Sequence, residues 1–212
     1  GKGNFTLKQN AVPNVFVNAS CIKPADVDGD GDTDVFVGAR VIPGRYPETP
    51  NSYLLINDGK GNFSDNTAVL AAGLQQAGMV TDAVWADLNN DQQPDLIVVG
   101  EWMPVKIFIN NKGVFQSKDI PQSTGLWQSV YTTDVNGDGL ADILAGNWGH
   151  NTKLYAGKSG PLKLYVKDFD KNGSVEQVMC YTIDGKEYTF LAKDELERSL
   201  PVLKKAYLKY SE

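Results

Sequence analysis

Several common functional signatures are absent from this chain. Its 212 residues include only two cysteines and one histidine, so neither a disulfide framework nor a cluster of zinc-type ligands is indicated. No apolar run approaches the roughly 18 residues needed to span a bilayer. No cluster of Lys and Arg indicates a nucleic-acid partner. There is no nucleophile elbow and no phosphate-binding glycine loop between a strand and a helix, so the sequence gives catalysis little support.

Negative charge is concentrated in four short segments. The net charge is −6, and 14 of the 26 acidic residues lie in these segments. Each has acidic or amide residues at positions 1, 3, 5 and 9, usually glycine at position 6, and then an apolar run. Two like charges about 4 Å apart repel by roughly 4 kcal/mol at an effective dielectric near 20. A bound cation would relieve this repulsion, and an all-oxygen ligand set predicts calcium.

We number these segments loops 1 to 4 in chain order. Positions 1, 3, 5 and 9 are predicted to supply side-chain oxygens, and position 7 its backbone carbonyl, because Leu140 at that position has no side-chain ligand. The predicted ligands are Asp26, Asp28, Asp30, Asp32 and Asp34 in loop 1; Asp87, Asn89, Asp91, Gln93 and Asp95 in loop 2; Asp134, Asn136, Asp138, Leu140 and Asp142 in loop 3; and Asp168, Asp170, Asn172, Ser174 and Glu176 in loop 4.

The four loops are not expected to be equivalent. Gln92 replaces glycine at position 6 of loop 2, which is expected to distort the turn and to weaken or empty the site. Loop 4 ends in Glu176, one methylene longer than aspartate, so its occupancy is also open. Loops 1 and 3 are expected to bind calcium, in a structural rather than a substrate-binding role. Metal-free Asx-type turns are the alternative for all four.

The residues around the loops predict β-structure. An EF-hand is excluded because position 12, which would have to be glutamate, is Val37, Val98, Ala145 or Met179. Short apolar runs closed by glycine follow loops 1 to 3, and they predict strands buried on both faces. Asn/Asp-Gly-type turns before an aromatic residue, at 57–63 and 110–115, predict hairpins. Repeated units of this kind predict an all-β β-propeller segment.

Three regions are predicted. Residues 1–166 would form about three four-stranded blades of an incomplete propeller, residues 167–191 would form loop 4 and a hairpin, and residues 192–212 would be helical. The chain opens within a hairpin, so a longer natural protein is expected, and open sheet edges would allow self-association. The helical spacing involves Leu196, Leu200, Leu203 and Tyr207, with Asp194 as the predicted N-cap and Pro201 predicting a kink or two short helices.

The loops resemble the FG-GAP/VCBS repeats of integrin-α-like propellers. Longer stretches resemble a bacterial VCBS-repeat subgroup related to cartilage acidic protein, which often carries an ASPIC/UnbV domain. The resemblance implies a calcium-binding propeller that is extracellular, on the cell surface or periplasmic, and it implies no defined ligand. The stretches that carry the subgroup resemblance are 37–47, 78–87, 100–104, 146–152 and 194–205.

Candidate ligand contacts lie in the segments after the apolar strands. Arg40 and Arg45 flank the turn of the longest insertion, as ligand contacts or as loop braces. Trp102 and Trp148 lie two residues after a glycine at equivalent positions of successive repeats. They are predicted either to form an aromatic platform for a sugar or to be packing residues. The lone His150 is not assigned a catalytic role.

The predicted function is a calcium-stabilised, non-catalytic binding module that presents a loop face to a glycan or a protein. One alternative is a fragment of a calcium-dependent polysaccharide-active enzyme that uses Arg40, Arg45 and His150. A purely structural scaffold is the other alternative. Cys21 and Cys180 are predicted to be buried free thiols, with a disulfide as the open alternative.

Overall fold

A computed structural model describes residue 3, residues 6–149, residue 152 and residues 160–206. The chain divides into two compact units. Unit 1 is Gly1–Gly44 with Glu48–Asn147, and unit 2 is Arg45–Pro47 with Trp148–Glu212. Both consist mainly of antiparallel strands, which confirms the all-β prediction. None of the described helices is long and apolar enough to cross a membrane.

Unit 1 contains one four-stranded and one six-stranded antiparallel sheet, with strand orders consistent with propeller blades. Strands β1 to β4 form the first blade in sequential order, and β5 to β8 form the second. Strands β9 and β10 begin a third blade, and β9 also pairs with β6. A short helix α1 and a 3-10 helix connect the first two blades. The elements are β1 Asn18–Ala25, β2 Asp34–Val41, β3 Tyr53–Asn57, β4 Phe63–Asp65, α1 Thr67–Leu70, the 3-10 helix Ala72–Gln76, β5 Met79–Ala86, β6 Asp95–Met103, β7 Lys106–Asn111, β8 Val114–Asp119, β9 Gly125–Thr133 and β10 Asp142–Asn147.

The apolar run after each loop is the second strand of its blade. In β2 and β6 it pairs with the first strand along one edge and with the third strand along the other. Phe36 in β2 and Leu96–Val99 in β6 are almost wholly inaccessible to solvent. The prediction for the third copy is wrong. Among the described residues β10 pairs only with β9, and Leu144 is 45% exposed.

The first strands of successive blades are held together by hydroxyl groups on bulged residues. In β1, Ser20 falls at a break in the pairing with β2, and its hydroxyl donates to the Val80 carbonyl of β5 at 2.6 Å. In β5, Thr81 occupies the equivalent break, and its hydroxyl donates to the Trp127 carbonyl of β9 at 2.9 Å. A bulge thus turns one side chain per blade towards the neighbouring blade.

Asp82 adds a charged link at the same interfaces. From β5 its carboxylate accepts a hydrogen bond from the Val130 N–H of β9 at 3.0 Å, and it pairs with the Lys23 ammonium of β1 at 2.8 Å. Burial acts to raise the pKa of Asp82, but the hydrogen bonds from Lys23 and Val130 outweigh this effect and lower the pKa below its ordinary value. One side chain therefore connects three blades.

The predicted hairpins are confirmed. Strands β3 and β4 enclose the turn at Asp58–Asn62, and β7 and β8 enclose the turn at Lys112-Gly113. Asp58 closes the first turn by accepting hydrogen bonds from the side chain and the backbone of Asn62 and from the backbone of Lys60, which lower its pKa to about 2.

Unit 2 repeats the beginning of a blade. Strands β11 Lys163–Lys167, β12 Glu176–Ile183 and β13 Lys186–Thr189 form an antiparallel sheet in sequential order, with loop 4 between β11 and β12. The Asp184-Gly185 turn connects β12 and β13, which confirms the predicted C-terminal hairpin.

Two short helices follow that hairpin. They are α2 Lys193–Ser199 and α3 Leu203–Ala206, and Pro201 lies between them. Of the two alternatives predicted at Pro201, the structure therefore has two short helices and not one kinked helix. The predicted N-cap is wrong, because Asp194 lies in the first turn and the Glu195 carboxylate accepts the Ala192 N–H at 3.0 Å. Tyr207 lies outside the described residues. Cys21 and Cys180 are both free thiols, as predicted. Cys180 is buried, but the predicted burial is wrong for Cys21, which is only half-buried.

Asp82 should make folding depend on acidity. Its folded-state pKa is depressed, so the stabilisation is present above the unfolded-state pKa near 4 and is lost as pH falls through the folded-state value. We expect Asp82→Asn to lower the free energy of unfolding at pH 7, and the difference from wild type to shrink below about pH 4. Urea denaturation across this pH range measures it. Asp119→Asn, at an exposed ion pair, is the control and should change little. A deficit independent of pH would contradict the charged link.

Candidate metal centres

All four loops connect the first two strands of a sheet and share one pattern of internal hydrogen bonds. The carboxylate at position 1 accepts backbone N–H groups from positions 4 to 6. Asp26 accepts from Gly29 and Gly31, at 2.8 and 3.0 Å. Asp134 accepts from Gly137 and Gly139, at 2.7 and 2.9 Å. Asp87 and Asp168 make the corresponding bonds in loops 2 and 4. The position-1 carboxylate therefore organises the turn through hydrogen bonds within the loop, without a cation.

Positions 3 and 5 continue this pattern. In each loop the side-chain oxygen of position 3 accepts the N–H of position 5, and the oxygen of position 5 accepts the N–H of position 7. These are successive Asx turns, in which a short side chain bonds to the backbone two residues ahead. The alternation read from the sequence thus directs successive oxygen-bearing side chains into a compact loop.

Position 9 is the most buried of the predicted ligands. Asp34 and Asp95 are 1% and 0% exposed. One oxygen of each accepts the N–H of loop position 2, and the other accepts the N–H of an asparagine at the end of the third strand, Asn57 or Asn110, at 2.8–3.0 Å. Glu176 reaches the position-2 N–H of loop 4 at 2.9 Å despite its extra methylene. Position 9 therefore joins each loop to its sheet.

The electrostatics of the carboxylates differ with burial. Burial raises the pKa of Asp34 and of Asp95, and the neighbouring carboxylates of their loops add to the effect. At exposed position 1 of loop 3, the N–H groups of Gly139 and Gly137 lower the pKa of Asp134. The buried carboxylates are thus the ones that gain most from a nearby positive charge.

Two loops bring three carboxylates together. Ligand oxygens of Asp26, Asp28 and Asp34 lie within 4.8 Å of one another, and so do those of Asp168, Asp170 and Glu176. These are positions 1, 3 and 9 in both cases. In loops 2 and 3 position 3 is Asn89 or Asn136, so an amide oxygen takes the place of the third carboxylate.

Loop 1 also contains a buried carboxylate oxygen at position 7, outside the cluster of Asp26, Asp28 and Asp34. One side-chain oxygen of Asp32 is inaccessible to solvent and has no hydrogen-bond donor within the described part of the chain. Burial and the neighbouring Asp30 raise the pKa of this carboxyl group. A buried acceptor without a donor is unfavourable, and a positive charge in the loop would reduce this cost. The ligand oxygens of positions 1, 3 and 9 form an all-oxygen set, which suits calcium. The residues present therefore fit the ion that the sequence predicts.

The predicted distortion of loop 2 is wrong. Gln92 takes the left-handed conformation with φ of 68°, which the glycines at position 6 of the other loops also adopt. Its N–H still bonds to Asp87 at 2.8 Å. The loop keeps its shape, and the cost is backbone strain of about 1–2 kcal/mol in a residue with a Cβ atom.

Sequence reasoning missed Asn110, which connects two loops. This residue is 1% exposed. Its amide donates to the Val27 carbonyl in loop 1 at 2.8 Å and to the Pro94 carbonyl in loop 2 at 3.2 Å, while its oxygen accepts the Gly113 N–H at 2.8 Å. Asn57 makes the corresponding bonds within the first blade, to Thr33 and Gly61. The Asn at the start of each hairpin turn was the available sequence signal.

The predicted ligand-contact residues have different surroundings. Arg40 donates to the buried Glu101 carboxylate at 2.5 Å, linking β2 to β6, as its bracing alternative expected. Trp102 has φ of 57°, at the irregularity where β6 leaves β7 and pairs with β9. Trp102 belongs to unit 1, whereas Arg45 and Trp148 belong to unit 2. Trp148 is 41% exposed, and His150 lies outside the described residues.

Replacing Gln92 by glycine should stabilise the protein. Gln92→Gly removes the strain of the left-handed conformation, and part of the gain is offset by greater freedom of the unfolded chain. We expect the free energy of unfolding to rise by about 0.5–1 kcal/mol. Chemical denaturation in EDTA measures it. Gly31→Ala at the same position of loop 1 is the matched control and should destabilise, because φ is +93° there. No atom lies within 4 Å of the added Cβ, so the loss would come from the backbone conformation and not from a clash. A destabilised Gln92→Gly protein would contradict the strain argument.

Asn110→Ala should destabilise by about 2–4 kcal/mol, because it leaves the Val27 carbonyl and the Gly113 N–H without partners. The exposed neighbour Asn111 supplies the control, and Asn111→Ala should fall within about 0.5 kcal/mol of wild type. Denaturation in EDTA separates this effect from metal binding. An equal loss of unfolding free energy in the two variants would show that the hydrogen bonds of Asn110 between the loops do not stabilise the protein.

The loops begin at the points where known repeats begin. A model of the FG-GAP-like repeat matches residues 26–98 and again residues 87–145, each match starting at position 1 of a loop. A search of curated proteins finds no match to the chain. The two matches together cover residues 26–145, which is more than half of the 212 residues. This chain therefore belongs to the FG-GAP-like repeat family.

Proposed function

We propose that this chain is a calcium-stabilised, non-catalytic interaction module of a β-propeller protein. The FG-GAP-like repeats support an interaction role. The observation that carries the proposal is the cluster of Asp26, Asp28 and Asp34, repeated in loop 4 as Asp168, Asp170 and Glu176. Three converging carboxylates on a loop already ordered by its own hydrogen bonds form a site that a divalent cation completes.

Calcium would act on stability rather than on chemistry. The carboxylates of positions 1, 3 and 9 would hold the ion, with position 5 and the carbonyl of position 7 completing an oxygen set. Bound calcium supplies positive charge that offsets the repulsion within each loop. Because position 9 is bonded to the adjacent hairpin through Asn57 or Asn110, the ion would also stabilise the sheet beyond the loop.

The setting we propose is outside the cytoplasm, that is, extracellular, on the cell surface or periplasmic. Sites of modest affinity fill where calcium is abundant. The subgroup we propose is the bacterial VCBS-repeat proteins related to cartilage acidic protein, on the stretches that carry that resemblance. The partner is a glycan or a protein at the loop face.

An enzymatic role is the less favoured alternative. A polysaccharide-cleaving site would need a cationic or basic side chain directed at substrate. Arg40 is instead paired with Glu101, whose side chain is only 9% exposed, and removing the arginine from this pair would leave a buried charge. The pairing favours a bracing role for Arg40.

Calcium should raise the thermal unfolding midpoint, and magnesium should raise it far less. Each occupied site adds about 2.7 kcal/mol at a hundredfold excess over Kd. Scanning calorimetry in EDTA and then along a calcium titration measures this, with elemental analysis of the EDTA-treated protein. A metal-free protein whose midpoint ignores calcium would refute the proposal.

Two variants separate metal binding from loop architecture. Asp28→Ala removes a carboxylate that makes one long internal bond, of 3.3 Å, so it should weaken the calcium response but change stability in EDTA little. Asp34→Ala should destabilise under both conditions, because it also removes bonds to Val27 and Asn57. Asp184→Asn, a charge loss outside the loops, should leave the calcium response intact.

A further inference from the structure

A cavity of about 670 Å³ lies at one end of the first blade. Its walls come from the start of β1, the end of β2, the segment that follows β2, and the start of β3. The pairing of Asn18 with Val41 marks this end of the sheet, whereas the pairing of Ala25 with Asp34 marks the end that carries loop 1. The cavity and the metal loop therefore occupy opposite ends of the same blade.

The strand pairing explains why the cavity exists. β2 pairs with β3 only over Val35–Val37, because Tyr53, the partner of Val37, is the first residue of β3, whereas β2 continues to Val41. β1 and β2 remain paired as far as Val41, with an irregularity next to Asn18. The far side of the opening is anchored by Ser52, which is fully buried and whose hydroxyl accepts the Ala39 N–H at 3.1 Å. The cavity thus lies within the first blade, where the ends of its strands meet the segments that precede β1 and follow β2.

The lining carries no charge. All eleven residues around the cavity are apolar, aromatic or neutral polar residues. Phosphate, sulfate and carboxylate ligands are normally held by Arg, Lys or clusters of backbone N–H groups, and cations by carboxylates. The site is therefore suited to a neutral ligand, and its volume is in the range of pockets for small molecules.

The neutral groups are of two kinds. Phe16 and Tyr53 supply aromatic surface, and Pro43 and Pro50 supply rigid apolar surface. Phe16 is 93% exposed although it lines the cavity, so its ring is not used for packing. Asn18 and Asn51 supply amides, each of which offers both donors and an acceptor.

We propose that this cavity binds a neutral carbohydrate, which deepens the interaction role proposed above and rests on it. A sugar ring has an apolar C–H face that packs on aromatic rings and hydroxyl groups that both donate and accept hydrogen bonds. A purely apolar ligand such as an acyl chain would bury the amides of Asn18 and Asn51 without partners, at a cost in free energy. A uronic acid would bring a carboxylate into a cavity that has no cation to receive it.

The test is binding to an array of neutral and acidic glycans in buffer containing calcium, followed by isothermal titration with the best neutral oligosaccharide. We expect neutral glycans to bind and acidic ones not to bind. Phe16→Ala should weaken binding about fivefold to tenfold, the loss expected for one aromatic contact. Asn51→Ala should weaken it as well. Both residues are exposed, so both variants should fold.

Leu7→Ala is the matched control, because Leu7 is apolar, 86% exposed and outside the cavity lining. The Leu7→Ala protein should bind the oligosaccharide with the same affinity as wild type. Absence of neutral-glycan binding by protein that responds to calcium would overturn the cavity proposal and leave the calcium module standing. Binding lost in Trp148→Ala but kept in Phe16→Ala would overturn it in favour of the tryptophan. Preference for acidic glycans or for peptides would also overturn it. Neutral-glycan binding without any calcium response would instead overturn the calcium role alone.

Discussion

The buried carboxylate at position 9 is the group on which the rest of each blade depends. Asp34 and Asp95 lie where the loop, the second strand and the following hairpin meet, and each uses both oxygens to hold backbone N–H groups from two of these elements. An apolar residue of similar size would leave those N–H groups unsatisfied. A charged residue in the most buried part of the sheet is stable there because of these bonds, and a cation would favour the same ionised state.

The same logic extends from one blade to the next. Asn110 takes its position from Asp95 and then donates to loop 1 of the preceding blade. At the first strands, bulged Ser20 and Thr81 reach the neighbouring blade, and Asp82 connects to both sides. Polar side chains thus specify how the blades of unit 1 sit against one another, while the apolar core includes Phe36 of β2 and Leu96–Val99 of β6. We infer that calcium bound in a loop would also stabilise the interface between blades, because the loop and the interface share these hydrogen bonds.

The opposite end of the first blade has a different character. There β2 extends beyond the first residue of β3, and the cavity at this end is lined by neutral side chains rather than by carboxylates. Stability and recognition would then occupy separate ends of one blade. Such a separation would let the cavity end vary in sequence without disturbing the buried carboxylates that hold the sheet together.

The sequence by itself determined the loops, the hairpins and the all-β class, because each rests on residues close in the chain. Asx turns bond two residues ahead, and Asn-Gly-type turns set their own backbone angles, so both can be read locally. Tertiary structure decided the remainder. Gln92 keeps the turn because the surrounding hydrogen bonds enforce its conformation, and Leu144 is exposed on β10, which pairs only with β9 among the described residues. The roles of Asn110 and Asp82 depend on partners 83 and 48 residues away, and pairing over such distances leaves no local pattern to read.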